Sequence, residues 1–310
     1  MLRFFMHIIT IALIGSACLF SCSPAAEREE APELPVLSSY NLSSPDASYE
    51  LPNSLREISG ISWYKHDQIA CIQDEKARIY LYNIKDQKIS SSHSFGKAGD
   101  YEDLAVLNDT AWALTSSGTV YRIKDFTAGK PEITRHPTGL SAKNDTEGIA
   151  LNVRENYLLI ACKSHASLKG DEPLDGYKAV YRYNTLNDKL VEKPEILIDT
   201  DLISVPAQSG SLRRMSLKLA RDLHLSEGEV FRPSGLAFHP HTEDLYMISA
   251  HPGILIVLDH YGKPKHIQPL DPGLFAQAEG ICFSAAGDLY ISNEGTSGPA
   301  TILEFKYVPQ

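Results

Sequence analysis

A short motif recurs along the chain: an acidic or polar residue, a glycine and then an apolar run. Its fullest copy is Asp145-Thr146-Glu147-Gly148-Ile149-Ala150-Leu151. Successive copies are separated by 43, 45, 87 and 45 residues, and they centre on Gly60, Asp103, Gly148, Gly235 and Gly280. A period near forty-five residues with four strand-like segments per copy is typical of a β-propeller blade. The sequence therefore predicts an all-β fold in which residues 38–310 form a single β-propeller.

The number of blades depends on how the long step is interpreted. Most copies carry four short alternating or apolar segments, as in Ile58–Trp63, Gln68–Gln73, Arg78–Asn83 and Ile89–Phe95. The last copy is one segment short, and we expect the region around Tyr40 to complete it. Spacing alone favours six four-stranded blades, whereas the strand count favours about five. We expect five, with a partly helical excursion at about 199–231, because 211–220 has few β-branched residues.

The N-terminus predicts export and a lipid anchor. Arg3 precedes an apolar run, Phe4–Phe20, that is short for a membrane span, and Leu19-Phe20-Ser21-Cys22 ends it. Residues 1–22 resemble a bacterial lipoprotein signal peptide, with Cys22 as the lipidated residue; an ordinary signal cleaved nearby is the alternative. Residues 23–37 are polar, acidic and proline-bearing, which predicts a flexible tether. The expected location is the cell envelope, with the membrane as a partner through the lipid.

Net charge and cysteine spacing narrow the function classes. A net charge of -10 disfavours nucleic acid and anionic membrane surfaces as partners. The cysteines Cys71, Cys162 and Cys282 lie inside apolar segments without metal-ligand spacing. We expect them to be small buried hydrophobic residues, with a disulfide between two of them as the alternative.

Acidic side chains recur at two positions of the repeat, and these define the candidate site. The first strand of a propeller blade lines the central channel, so residues at the starts of the copies and after the second strands should converge. Carboxylates and amides are oxygen donors suited to calcium. The alternative is structural, since such side chains also bond the backbones of neighbouring blades. The candidate metal- or ligand-binding residues are Glu57, Asp74, Glu75, Glu102, Asp103, Glu147, Glu279, Asn293 and Glu294.

Several of these segments also resemble a known family. Glu57-Ile58-Ser59-Gly60-Ile61, Gln73-Asp74-Glu75, Pro233-Ser234-Gly235-Leu236 and Glu279-Gly280-Ile281 with Ser292-Asn293-Glu294-Gly295 are similar to the SdiA-regulated family of bacterial envelope propellers. The resemblance implies a propeller outside the cytoplasm and, in some members, a calcium ion. The chain departs from it at Glu102-Asp103 and Pro233-Ser234, where the Glu-Gly pair is absent.

Two hypotheses about function follow. The sequence contains no G-x-S-x-G, H-E-x-x-H, P-loop or G-x-G-x-x-G motif. The first hypothesis is therefore a lipid-anchored binding protein that holds calcium or a small ligand at the acidic channel mouth. The second is a calcium-dependent, phytase-like hydrolase of phosphoesters. The missing nucleophile motifs favour binding over catalysis.

Overall fold

The structure is a computed structural model that describes residues 37–200 and 231–309. The predicted signal peptide, nearly all of the tether and the segment 211–220 lie outside the described residues. Nowhere in residues 37–200 and 231–309 is there a helix long and apolar enough to cross a membrane.

In the part of the chain that the structure describes, twenty-one strands form five antiparallel sheets, which are the blades. The first strand, β1 (Ala47–Glu50), belongs to blade five. Blade one contains β2 (Ile58–Trp63), β3 (Gln68–Gln73), β4 (Arg78–Asn83) and β5 (Lys88–Ser94). Blade two contains β6 (Tyr101–Leu107), β7 (Thr110–Thr115), β8 (Thr119–Lys124) and β9 (Glu132–Pro137). Blade three contains β10 (Thr146–Asn152), β11 (Tyr157–Cys162), β12 (Tyr177–Asn184), β13 (Lys189–Leu190) and β14 (Ile196–Asp199). Blade four contains β15 (Gly235–Phe238), β16 (Leu245–Ser249), β17 (Ile254–Leu258) and β18 (Pro264–Pro269). Blade five adds β19 (Ala278–Phe283), β20 (Leu289–Asn293) and β21 (Thr301–Phe305).

The first strands of the five blades form a closed ring. In chain order β2, β6, β10, β15 and β19 each contact the next, and β19 contacts β2. The predicted all-β propeller is confirmed, and its count is five blades. Blade three has four positions, because β13 and β14 pair with successive parts of β12 and together form one interrupted outer strand.

An N-terminal strand closes the ring, but it is not the Tyr40 region. Strand β1 pairs with β21 and places Ala47 opposite Glu304. Residues around Tyr40 form bends and turns instead of a strand. The Tyr40 ring is buried against Tyr246 and Phe283, and its hydroxyl donates to the Gly287 carbonyl at 2.6 Å. This segment is therefore held by the packing of its aromatic side chain. The strand that completes blade five is formed by the residues after the turn, Ala47–Glu50.

Glycines of the first strands allow neighbouring blades to approach closely. A Cβ atom on Gly235 would lie 2.6 Å from the Glu279 carbonyl oxygen, and one on Gly280 would lie 2.9 Å from the Ile61 amide nitrogen. Real Cβ atoms do not approach backbone atoms this closely, so the blade spacing requires glycine. Apolar clusters fill the space between blades, and they include Cys71, Cys162 and Cys282, which are buried and unpaired, as expected.

Candidate functional site

Four of the five first strands begin with an irregular pairing, which positions the acidic side chains, whereas β15 pairs regularly with β16. The pairing with the second strand shifts between Tyr101 and Asp103, between Thr146 and Gly148, and between Ala278 and Ile281. A β-bulge of this kind adds one residue and redirects a side chain. The residues at these bulges include Glu102, Glu147 and Glu279. In blade one the corresponding residue is Ser59, and in blade four it is Ser234.

The three bulge glutamates meet around a single lysine. Lys163 directly follows β11, and its ammonium donates a hydrogen bond to Oε1 of Glu147. The same ammonium acts electrostatically on Glu102 and Glu279. Glu147 also repels Glu102 and Glu279. The starts of three different blades therefore converge, as the sequence predicted for Glu102, Glu147 and Glu279.

Burial and crowding raise the pKa values of these carboxyl groups. Burial, assisted by repulsion from Glu147 and Asp100, raises the pKa of Glu102 to about 9. Burial raises the pKa of Glu147 to about 8, although Lys163 opposes the shift. Burial also raises the pKa of Glu279. Near neutral pH Glu102 and Glu147 therefore hold protons that an ordinary exposed glutamate would have lost.

A second acidic group extends the cluster towards blades one and five. Asp74 directly follows β3 and Glu294 directly follows β20, at the position that Lys163 occupies in blade three. Burial and repulsion from Glu57 raise the pKa of Asp74, and burial with repulsion from Asp74 raises that of Glu294. We call this combined surface the acidic mouth, and its members are Glu57, Asp74, Asp100, Glu102, Asp145, Glu147, Lys163, Glu279 and Glu294.

Three candidate residues lie elsewhere or only at the edge. The carboxylate of Asp103 is buried between blades two and three, where it accepts the amide N–H groups of Leu104 at 2.7 Å and Ile149 at 2.8 Å. Asn293 is buried within blade five and donates to the Leu274 carbonyl and the Thr301 hydroxyl. Glu75 is exposed beside Asp74. Asp103 therefore has the structural role that was the alternative for such residues.

Sequence reasoning left Asp100 and Asp145 out of the candidate set. Lys163 follows a second strand, a position that was expected to converge on the mouth, but it was not among the metal- or ligand-binding candidates. Asp100 repels Asp74 and Glu102, while Asp145 repels Glu102 and Glu147. Each of these aspartates directly precedes a first strand, and Lys163 directly follows a second strand. The position before each first strand was therefore an unused signal for the two aspartates, and the choice of oxygen donors kept the lysine out of the binding candidates.

Oxygen donors are abundant in the mouth, but their arrangement is not that of a compact metal centre. Among the described residues, no three His, Cys, Asp or Glu side chains are grouped closely enough to hold a metal ion. The Lys163 ammonium already supplies a positive charge beside Glu147. Calcium binding therefore stays a prediction from the chemistry of the donors, and no reaction step is derived from it.

Fold and site together define a five-bladed β-propeller with an acidic channel mouth. No family model matches the chain, and no curated protein matches it. Glutaminyl cyclase from Myxococcus xanthus has a similar structure, at 9% identity over 86% of this chain and 97% of that chain, with a TM-score of 0.54. Virginiamycin B lyase from Staphylococcus aureus is similar at 15% identity over 85% and 74% of the two chains, with a TM-score of 0.42. At 9% identity the likeness to the glutaminyl cyclase shows the fold alone.

Proposed function

We propose that the protein is a lipid-anchored, extracytoplasmic propeller that binds a small cationic ligand at the acidic mouth. One observation carries the proposal: carboxyl groups from blades one, two, three and five crowd into one region, with Lys163 as the cation at its centre. A bound cation relieves that repulsion and displaces protons from the glutamates.

The part of the mouth around Asp74 suits a cation better than the part around Glu147. Glu147 is already paired with Lys163, whereas Asp74 is surrounded by the acids Glu57, Glu75 and Asp100. One carboxylate oxygen of Asp74 is buried and has no hydrogen-bond partner within the described residues. A calcium ion or the ammonium group of a small amine would satisfy this oxygen and the neighbouring charge.

Titration of the purified full-length protein with Ca²⁺ and, separately, with putrescine tests the proposal, with Tm and calorimetry as readouts. We expect saturable stabilisation by at least one of the two. The variant Asp74→Asn should weaken that binding about tenfold or more, because it removes the carboxylate whose buried oxygen has no partner within the described residues. Glu192→Gln is the matched control, since Glu192 is exposed on the loop between β13 and β14, away from the mouth. Unchanged Tm with both cations would contradict the proposal.

The envelope location rests on the sequence of residues 1–22 and on the resemblance to the SdiA-regulated family. A Cys22→Ser variant tests it, because loss of the lipid should move the protein from the membrane fraction to the soluble fraction. Continued membrane association of Cys22→Ser would contradict the anchor. Assay of phosphoesters during the calcium titration tests the hydrolase hypothesis, for which calcium-dependent turnover lost in Glu147→Gln is the required result.

A further inference from the structure

A cavity of about 530 Å³ lies between blades five and one, at the end of the channel strands opposite the acidic mouth. Glu57 precedes β2 and belongs to the mouth, whereas Trp63 is the last residue of β2 and lines the cavity. A strand of six residues spans about 20 Å, so the two sites are well separated. The cavity walls include the β19–β20 turn at 284–288. We call it the blade-junction cavity.

An aromatic side chain lines this cavity in a fixed position. The partly exposed indole of Trp63 stacks on the buried ring of Tyr290, with centroids 5.5 Å apart and planes inclined by 28°. Stacking against a buried partner restricts the indole rotamers, so a ligand meets a preorganised flat surface.

The buried polar network beneath the cavity is already satisfied. Glu304 is 5% exposed, and it accepts hydrogen bonds from the Tyr49 hydroxyl at 2.5 Å and the Tyr290 hydroxyl at 3.0 Å. The ammonium of Lys306 also donates to Glu304, at 2.5 Å. Because three donors already bond its carboxylate oxygens, Glu304 holds the base of the cavity rigid. A ligand would therefore be recognised by the groups around the rim.

The charged groups of the rim form pairs of opposite sign. The Lys85 ammonium lies 2.6 Å from Asp67, and the Lys306 ammonium lies 2.9 Å from Asp288. The remaining rim acid, Asp46, accepts the backbone N–H of Lys306 at 2.7 Å, so its carboxylate also has a partner. A charged ligand would have to break one of these pairs or leave a charge uncompensated. A neutral ligand with several hydroxyl groups can accept from the lysines and donate to the carboxylates while both pairs stay intact.

We propose that the blade-junction cavity binds a neutral saccharide unit. The apolar face of a sugar ring would lie on the Trp63 indole, and its hydroxyl groups would bond the Asp67–Lys85 and Asp288–Lys306 pairs. The volume falls within the range of small-ligand pockets, about 300–1,000 Å³. This site is independent of cation binding at the acidic mouth.

Tryptophan fluorescence of the full-length protein provides the test. The chain has two tryptophans, and Trp112 in blade two is 7% exposed, so a Trp112→Phe variant reports on Trp63 alone. The probes are glucose, galactose, mannose, N-acetylglucosamine, maltose and cellobiose, with putrescine and glucose 6-phosphate as charged comparisons. We expect saturable binding of at least one neutral sugar, with Kd in the range of about 0.1–10 mM.

Variants then assign the binding to the cavity. Trp63→Ala, followed by saturation-transfer NMR, should weaken sugar binding about tenfold or more. The double variant Asp67→Ala/Lys85→Ala changes a partly exposed pair and should weaken it several-fold even where Trp63→Ala disturbs folding. Tyr261→Ala removes an aromatic ring that is 82% exposed in blade four and is the matched control. Failure of all six sugars to saturate, stronger binding of either charged probe, or full sugar affinity in the double variant would overturn the proposal.

Discussion

Glu102 and Asp103 are neighbouring acids in β6 whose side chains lie in different places. One faces the acidic mouth and the other is buried between two blades. The bulge directs Glu102 into the mouth, where burial raises its pKa to about 9. Asp103, one residue later, is buried between blades, and its carboxylate accepts a hydrogen bond from the Ile149 amide. Sequence spacing identified both as acids near a channel. It could not separate their roles, because the direction of each side chain depends on the register with β7.

Replacement of Asp103 by alanine should destabilise the fold, because the amides of Ile149 and Leu104 would lose their acceptor inside a blade interface. We expect a loss of about 2–4 kcal/mol in the free energy of unfolding, measured by denaturant titration. Asp103→Asn keeps one carbonyl oxygen and should cost less. An alanine variant as stable as the wild type would show that Asp103 does not support the interface.

Glu102 should make the folded protein less stable as the pH rises from neutral to alkaline. Its pKa rises from 4.5 in the unfolded chain to about 9 in the folded protein, so the native state holds a proton that the unfolded state releases. The stabilisation is complete below pH 4.5 and is lost as pH rises towards 9. Between pH 6 and 9 the wild type should therefore lose about 3–4 kcal/mol more than Glu102→Gln. The free energy of unfolding is measured against pH for the wild type, for Glu102→Gln and for the control Glu192→Gln. If the wild type and Glu102→Gln showed the same dependence on pH, Glu102 would not hold the proton proposed here.

At the scale of the element, alternation of apolar residues defined most strands well. The bounds of β2, β3 and β4 match the sequence segments because each is a short run of alternating or apolar residues between turn residues. The prediction that the Tyr40 region forms the closing strand was wrong. That segment and β1 are both short and flanked by polar residues, and only the pairing with β21 distinguishes them. The β-bulges could not be predicted from the sequence, because a bulge depends on how two strands pair and not on one segment alone.

The first-strand glycines should be sensitive to a single methyl group. Gly235→Ala brings a Cβ atom to 2.6 Å from the Glu279 carbonyl, so blades four and five must separate. We expect a loss of about 1–3 kcal/mol, measured by thermal and denaturant unfolding. Gly129→Ala is the control, because a Cβ atom there has no neighbour within 4 Å among the described residues and the backbone is unstrained. Equal stability of the two variants would contradict close blade contact.

At the scale of the whole molecule, the repeat determined the architecture and the ring determined the site. Five first strands arranged around one axis bring Glu102, Glu147 and Glu279 together although 177 residues separate the first from the last. The sequence predicted this convergence from blade symmetry, and it predicted crowded acids. Blade symmetry indicates where Lys163 lies, after a second strand, but it does not indicate which acid the lysine contacts.

Carbon-13 NMR titration of the glutamate carboxyl groups tests the convergent acidic mouth most directly. The spectra of the full-length wild type should contain one carboxyl titrating near pH 9, absent in Glu102→Gln, and one near pH 8, absent in Glu147→Gln. The Glu102 carboxyl should titrate at lower pH in Glu147→Gln, because the repelling charge of Glu147 is gone. Titration of every glutamate near its ordinary value of 4.5 would contradict the account, because the bulge residues would then be apart and in water.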